Sequence, residues 1–176
     1  MSRAHERGHL RADRARYGRW AWVQQPALWA IAVYRFGRWT RSAPLPLRPV
    51  VHAIYYTLYS VVRLATGIDI PRSVTIGPGL MIHHFGGIII NPQARLGAGC
   101  TLRQGVTIGT RVSDFDVPTV GDRVEFGAYA QVLGDVQIAN DARIGALSVV
   151  MCDVGEGMTA VGIPARLIGN VGIHDE

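Results

Sequence analysis

At 176 residues, with 48% hydrophobic and 18% charged residues, the chain is too apolar to be disordered throughout and suits one compact domain with an appendage. All 18 basic residues are arginine and the formal net charge is +5, but residues 1–66 hold eleven arginines against Glu6 and Asp13 while the rest holds seven against eleven acids. Cys100 and Cys152 have no metal-type spacing, and the charges of residues 3–19 are not followed by a signal-peptide core, so a reducing cytoplasm without disulfides is the expectation.

Residues 10–66 read as helical. The run WAWVQQPALWAIAVYRFGRW (20–39) is rich in Trp and Tyr and is broken by Pro26. The run LRPVVHAIYYTLYSVVRLATG (47–67) follows, with Pro49 near its start and Gly67 as a stop. Neither apolar run reaches the roughly 20 residues of a membrane span. Aromatics interleaved with arginines suit peripheral contact through residues 10–66 with the inner face of a membrane; packing on the second half of the chain, or on a partner chain, is the competing expectation. A basic segment can also meet an acidic partner, or simply be a solvated face; no nucleic-acid partner is expected.

From Ile70 the pattern changes. An aliphatic or aromatic residue returns every six positions: Ile70, Ile76, Ile82, then Ile90, Leu96, Leu102, Ile108, then Val120, Phe126, Val132, Ile138, Ile144, Val150. Gly often follows it, and the position four later is small or apolar, as at Ala94, Cys100, Ala130, Ala142 and Ser148. A period of six is neither helical nor a plain strand alternation; it predicts a left-handed parallel β-helix of about five triangular coils, each three hexapeptides or about 18 residues. No coil buries its own face, so stability comes from stacking. The period breaks twice. Two residues are added between Ile82 and Ile90, beside His83 and His84, and the repeat lapses between Ile108 and Val120, where Asp114 takes an aliphatic position and GTRVSDFDVPT (109–119) reads as a protruding loop. Interruptions of a regular scaffold are where function tends to sit. The predicted organisation is therefore a basic, aromatic-rich helical region (1–66), a mainly β domain (67–169) and a short tail (170–176).

The stretches GIDI (67–70), GLMIHHFGGIII (79–90), GVTIGT (105–110), 120–150 and GIPARLIG (162–169) resemble the hexapeptide-repeat acyltransferases, within them the serine acetyltransferase-like O-acetyltransferases. The resemblance implies acetyl transfer from acetyl-CoA to a hydroxyl, in a homotrimer with active sites between neighbouring β-helices. It places the catalytic histidine on His84 and its orienting aspartate on Asp69. By the same match Gly127, Ala128, Gly145 and Ala146 would line the coenzyme groove, with Arg143 and Arg166 available for phosphates. Chemistry supports these roles separately: an alcohol is a poor nucleophile at neutral pH, and a positioned imidazole can take its proton. A carboxylate on the other ring nitrogen orients that imidazole. Arginine suits phosphate.

The departures bear on the acceptor. Where the family carries an aspartate before the catalytic histidine, this chain has His83. Where serine acetyltransferases carry Arg-His-Pro, it reads Asp116-Val117-Pro118, without the basic pair that would hold a serine carboxylate. Phe85 and Gly86, followed by GIIINP, look more like the branch resembling colanic-acid and capsular-polysaccharide O-acetyltransferases. The expected acceptor is thus a sugar hydroxyl of a polysaccharide or its precursor, met by His83, Phe85, Gly86 and Asp116; the alternative is serine, as in cysteine biosynthesis. The helical region is about half the family's length, so a hexamer is not expected. A zinc site like that of γ-type carbonic anhydrases needs three imidazoles, and the β-helix before the tail holds only His83 and His84, so no metal is expected.

Overall fold

The computed structural model describes residues 3–169. The tail predicted at 170–176 lies outside the described residues. Four α-helices come first: α1 (Arg3–Ala15), α2 (Ala21–Gln24), α3 (Pro26–Thr40) and α4 (Arg48–Thr66). Pro26 opens α3 and Pro49 lies in the first turn of α4, positions where a missing N–H costs nothing. Gly67 closes α4 in the left-handed conformation (φ 65°), and its N–H donates to the Arg63 carbonyl.

The chain then winds into a parallel β-solenoid with three faces. One stacks β1 (Ile68–Asp69), β4 (Ile88–Ile90), β7 (Thr107–Gly109), β10 (Gln131–Leu133) and β13 (Val149–Val150). The second stacks β2 (Thr75–Ile76), β5 (Arg95–Leu96), β8 (Thr119–Val120) and β11 (Gln137–Ile138). The third stacks β3 (Met81–Ile82), β6 (Thr101–Leu102), β9 (Glu125–Phe126), β12 (Arg143–Ile144) and β14 (Thr159–Gly162), and ends with the antiparallel β15 (Ala165–Ile168). The six-residue ladder from Ile70 to Val150 points inward and is buried throughout, as are its small partners Ala94, Cys100, Ala130, Ala142 and Ser148. Each isoleucine so buried contributes about 1.5–3 kcal/mol.

Strand register locates both interruptions. One coil takes 18 residues where Gln131 faces Val149, 20 where Asp69 faces Ile89, and 24 where Thr107 faces Gln131. The second interruption is therefore a six-residue insertion at one corner, not a degraded repeat. Asp114 lies in that exposed loop and occupies no core position.

The helical region packs on the first coil. Helix α3 buries Ile31, Tyr34 and Arg35 there. The Tyr34 hydroxyl donates to the Val74 carbonyl (2.9 Å) and accepts the Ile76 N–H (3.1 Å). Arg35 donates to the Ile76 and Gly77 carbonyls and pairs with buried Asp13 of α1 at 2.8 Å. Within residues 10–66, α1 and α3 thus pack on the solenoid, whereas α4 keeps Val50, Ile54, Leu58, Val61 and Leu64 exposed. Among the described residues no helix is long and apolar enough to cross a membrane.

Candidate active site

The first coil carries its two extra residues at the corner between β3 and β4, in the segment His83–Gly87. Gly86 (φ 113°) and Gly87 (φ 66°) turn the chain through left-handed conformations that side chains rarely adopt. A Cβ on Gly86 would meet nothing within 4 Å, so this turn opens outward. His84 and Phe85 stand exposed on it. His83 is half-buried; its N–H donates to the Leu102 carbonyl (3.0 Å). Burial, reinforced by the nearby Arg103 guanidinium, holds its imidazole below the usual histidine range.

From His83 a cleft of about 570 Å³ runs along the third face. Gly127, Arg143, Gly145 and Ala146 line it together with His83, so four of the six residues assigned to the coenzyme share one groove with the histidine pair's inner member. Ala128 and Arg166 do not line it; Arg166 sits exposed on β15, paired in register with Val161. Gly127 is required for close stacking, because a Cβ there would lie 2.4 Å from the Ala146 nitrogen of the next coil.

Two further cations reach this cleft that the motifs did not disclose. Arg103 lies one coil beyond His83, since Ile82 pairs with Leu102. Arg16 arrives from the turn after α1; its guanidinium donates to the Gly79, Gly99 and Cys100 carbonyls and to the Thr101 hydroxyl at 2.8–3.1 Å. Register alone would have found Arg103. Nothing local to Arg16 marks it.

Asp69 lies elsewhere. It projects from β1 into a second cleft, of about 400 Å³, with Tyr59, Asn91, Thr107 and Thr110. One carboxylate oxygen accepts the Tyr59 hydroxyl and the other faces Arg63 Nη1 at 3.4 Å. No hydrogen bond joins Asp69 to His84 among the described residues. Both partners of the carboxylate come from α4, because the left-handed turn at Gly67 brings β1 back beside the last turns of the helix. Asp116 is half-buried in the inserted loop, its N–H donating to the Ser113 carbonyl, and lines neither cleft. Among the described residues no three His, Cys, Asp or Glu side chains gather as metal ligands would.

No protein-family model matches the chain. A serine acetyltransferase of Helicobacter pylori (strain J99) is 34% identical over 162 residues, covering 90% of this chain and 91% of the relative. The chain belongs to the serine acetyltransferase family. A family member from Synechococcus elongatus is 37% identical over 151 residues, 85% of this chain; the match spans only 59% of that longer relative. Among solved family members, a serine acetyltransferase in complex with CoA superposes with a TM-score of 0.75 at 28% identity, covering 94% of this chain and 68% of the other.

Proposed function

We propose that this family member is an acetyl-CoA-dependent O-acetyltransferase whose acceptor is the hydroxyl of L-serine. The match over nine-tenths of both this chain and the Helicobacter enzyme carries the reading. It favours serine over the sugar acceptor expected from Phe85 and Gly86. His84 acts as general base: it takes the hydroxyl proton as the oxygen attacks the thioester carbonyl. Backbone N–H groups of the Gly86–Gly87 turn stabilise the oxyanion. The C–S bond then breaks, and the proton on the imidazolium passes to the leaving sulfur. Asp69 orients the ring and stabilises the imidazolium. The CoA moiety lies along Gly127, Gly145 and Ala146, with Arg143 toward its phosphates. A homotrimer completes the site. Exposed Phe85, Tyr129 and Leu147 stand on one corner of the solenoid, with backbone bonds from Tyr129 to Gln104 and from Leu147 to Ala128 linking its coils, and such an apolar corner suits a neighbouring copy.

A second reading keeps the chemistry and changes the acceptor to a sugar hydroxyl. Asp116 and Val117 favour it, because they stand where a carboxylate-binding basic pair is expected. CoA thiol release decides between the two: release with L-serine and none with sugars supports the first reading, and the converse supports the second. In either case His84→Ala should lower kcat about 10²–10⁴-fold with acetyl-CoA affinity retained. A His84→Ala enzyme at the wild-type rate would remove the base from the mechanism.

A further inference from the structure

The helix that leads into the solenoid ends on the carboxylate assigned to orient the catalytic imidazole. Tyr55, Tyr59 and Arg63 recur every fourth residue along α4 and so share one face. Tyr55 is fully buried, its hydroxyl accepts the Arg72 N–H (3.2 Å), and the Arg72 guanidinium lies 5.1 Å from its ring. Tyr59 stacks on Tyr55 with ring centroids 5.5 Å apart and planes at 20°, and Arg63 lies 5.6 Å from the other ring in turn. The Tyr59 phenol is thus held by a fixed neighbour rather than left to rotate in solvent. Gly67, in its left-handed turn, sends the chain back beside the last turns of the helix, which brings Asp69 to Tyr59 and Arg63.

We infer that Tyr59 and Arg63 are positioning residues for the transfer reaction. Each takes one oxygen of Asp69, and together they fix the carboxylate so that its open lone pairs meet the imidazole of His84 in the assembled enzyme. The inference rests on the reading of His84 as base and Asp69 as its partner. A carboxylate offers about four acceptor sites, and α4 occupies two, so room remains for an imidazole N–H. The arrangement makes the helical region part of the site rather than only its support. It also accounts for a donor pair spent on a carboxylate at the protein surface, where it adds little to stability.

The test is a double-mutant cycle on Tyr59 and Asp69, with the full chain. Tyr59→Phe keeps the stack on Tyr55 and deletes only the hydroxyl. It should lower kcat about tenfold, a small orientational loss, with KM for acetyl-CoA and the unfolding midpoint unchanged. Arg63→Lys should retain most of kcat where Arg63→Leu loses severalfold. In the Asp69→Asn background Tyr59→Phe should cost nothing further, since the two act as a unit. A wild-type kcat for Tyr59→Phe, or the same loss in both backgrounds, overturns the inference. A second measurement is independent of turnover. Burial and Asp69 push the Tyr59 phenol well above the usual tyrosine range, and the difference in ultraviolet titration between wild type and Tyr59→Phe reports it. That phenol should titrate lower in Asp69→Asn. If wild-type enzyme releases no CoA with serine or sugars, the transferase reading fails; an unchanged Tyr59 titration in Asp69→Asn overturns the positioning inference by itself.

Discussion

Replacing Asp13 with alanine should detach the helical region from the solenoid. Asp13 is fully buried, and three elements meet at its carboxylate. Arg35 of α3 donates to both of its oxygens, at 2.8 and 3.1 Å, and the Leu80 N–H of the first coil donates to Oδ1 at 2.8 Å. The alanine variant leaves the Arg35 cation buried without an anion and orphans the Leu80 N–H. Removing one partner of a buried pair costs about 3–5 kcal/mol, because the remaining charge stays desolvated. With about 2 kcal/mol per molar for the urea dependence, the midpoint should fall by about 2 M. All four tryptophans, Trp20, Trp22, Trp29 and Trp39, lie in the helical region, so their fluorescence reports that region, and far-ultraviolet dichroism reports the whole. The fluorescence transition should move to lower urea ahead of the dichroism. The control is Asp141→Ala: its bonds to Arg123 are equally short, at 2.7 Å, but the pair is exposed, and little change is expected. A midpoint shift for Asp13→Ala no larger than that of Asp141→Ala would refute the reasoning.

Two further outcomes follow from coil stacking and from buried hydroxyls. Gly127→Ala places a Cβ 2.4 Å from the backbone nitrogen of Ala146 and should cost about 1–3 kcal/mol and weaken acetyl-CoA binding, whereas Gly8→Ala, on a helix with nothing within 4 Å, should be neutral or mildly stabilising; comparison of melting temperatures checks the pair. Burial pushes the Tyr17 and Tyr34 phenols from the usual 10 up to about 12, so folding favours their neutral forms. Their contribution to stability is complete below about pH 10 and is lost as pH rises from there through about 12. Urea midpoints across that interval should fall less steeply in Tyr34→Phe; an unchanged slope would place the alkaline loss elsewhere.

Much of the fold was legible because a solenoid writes its core into the chain at a constant interval. Each aliphatic of the six-residue ladder is buried by residues one coil away, and every coil repeats the same arrangement, so periodicity alone names the inward positions from Ile70 to Val150. The corner at His83–Gly87 was legible for the same reason, as two residues too many. The protruding loop at 109–119 was legible as a lapse of the period, but that it is an insertion of six residues rather than a missed repeat needed the register of Thr107 against Gln131.

The site was legible only where it coincides with that interval. Gly127, Arg143, Gly145 and Ala146 fall into one groove because coils stack in register. Arg16 and Asp69 obey no such rule. Arg16 reaches the cleft across more than 80 residues of sequence, and its acceptors are backbone carbonyls, which leave no mark in composition. The resemblance assigned Asp69 to His84, but nothing in the sequence disclosed that the Gly67 turn sets its carboxylate against Tyr59 and Arg63 of α4. Likewise the basic, aromatic character of residues 1–66 did not say whether they meet solvent, lipid or protein. By itself the sequence determined the repeat, its inward ladder and the glycine corner, since those depend on neighbours at fixed separation. Only the tertiary structure decided that Asp13 and Arg35 lock the helices to the first coil and which side chains hold Asp69, because those contacts depend on how separate elements are oriented in space.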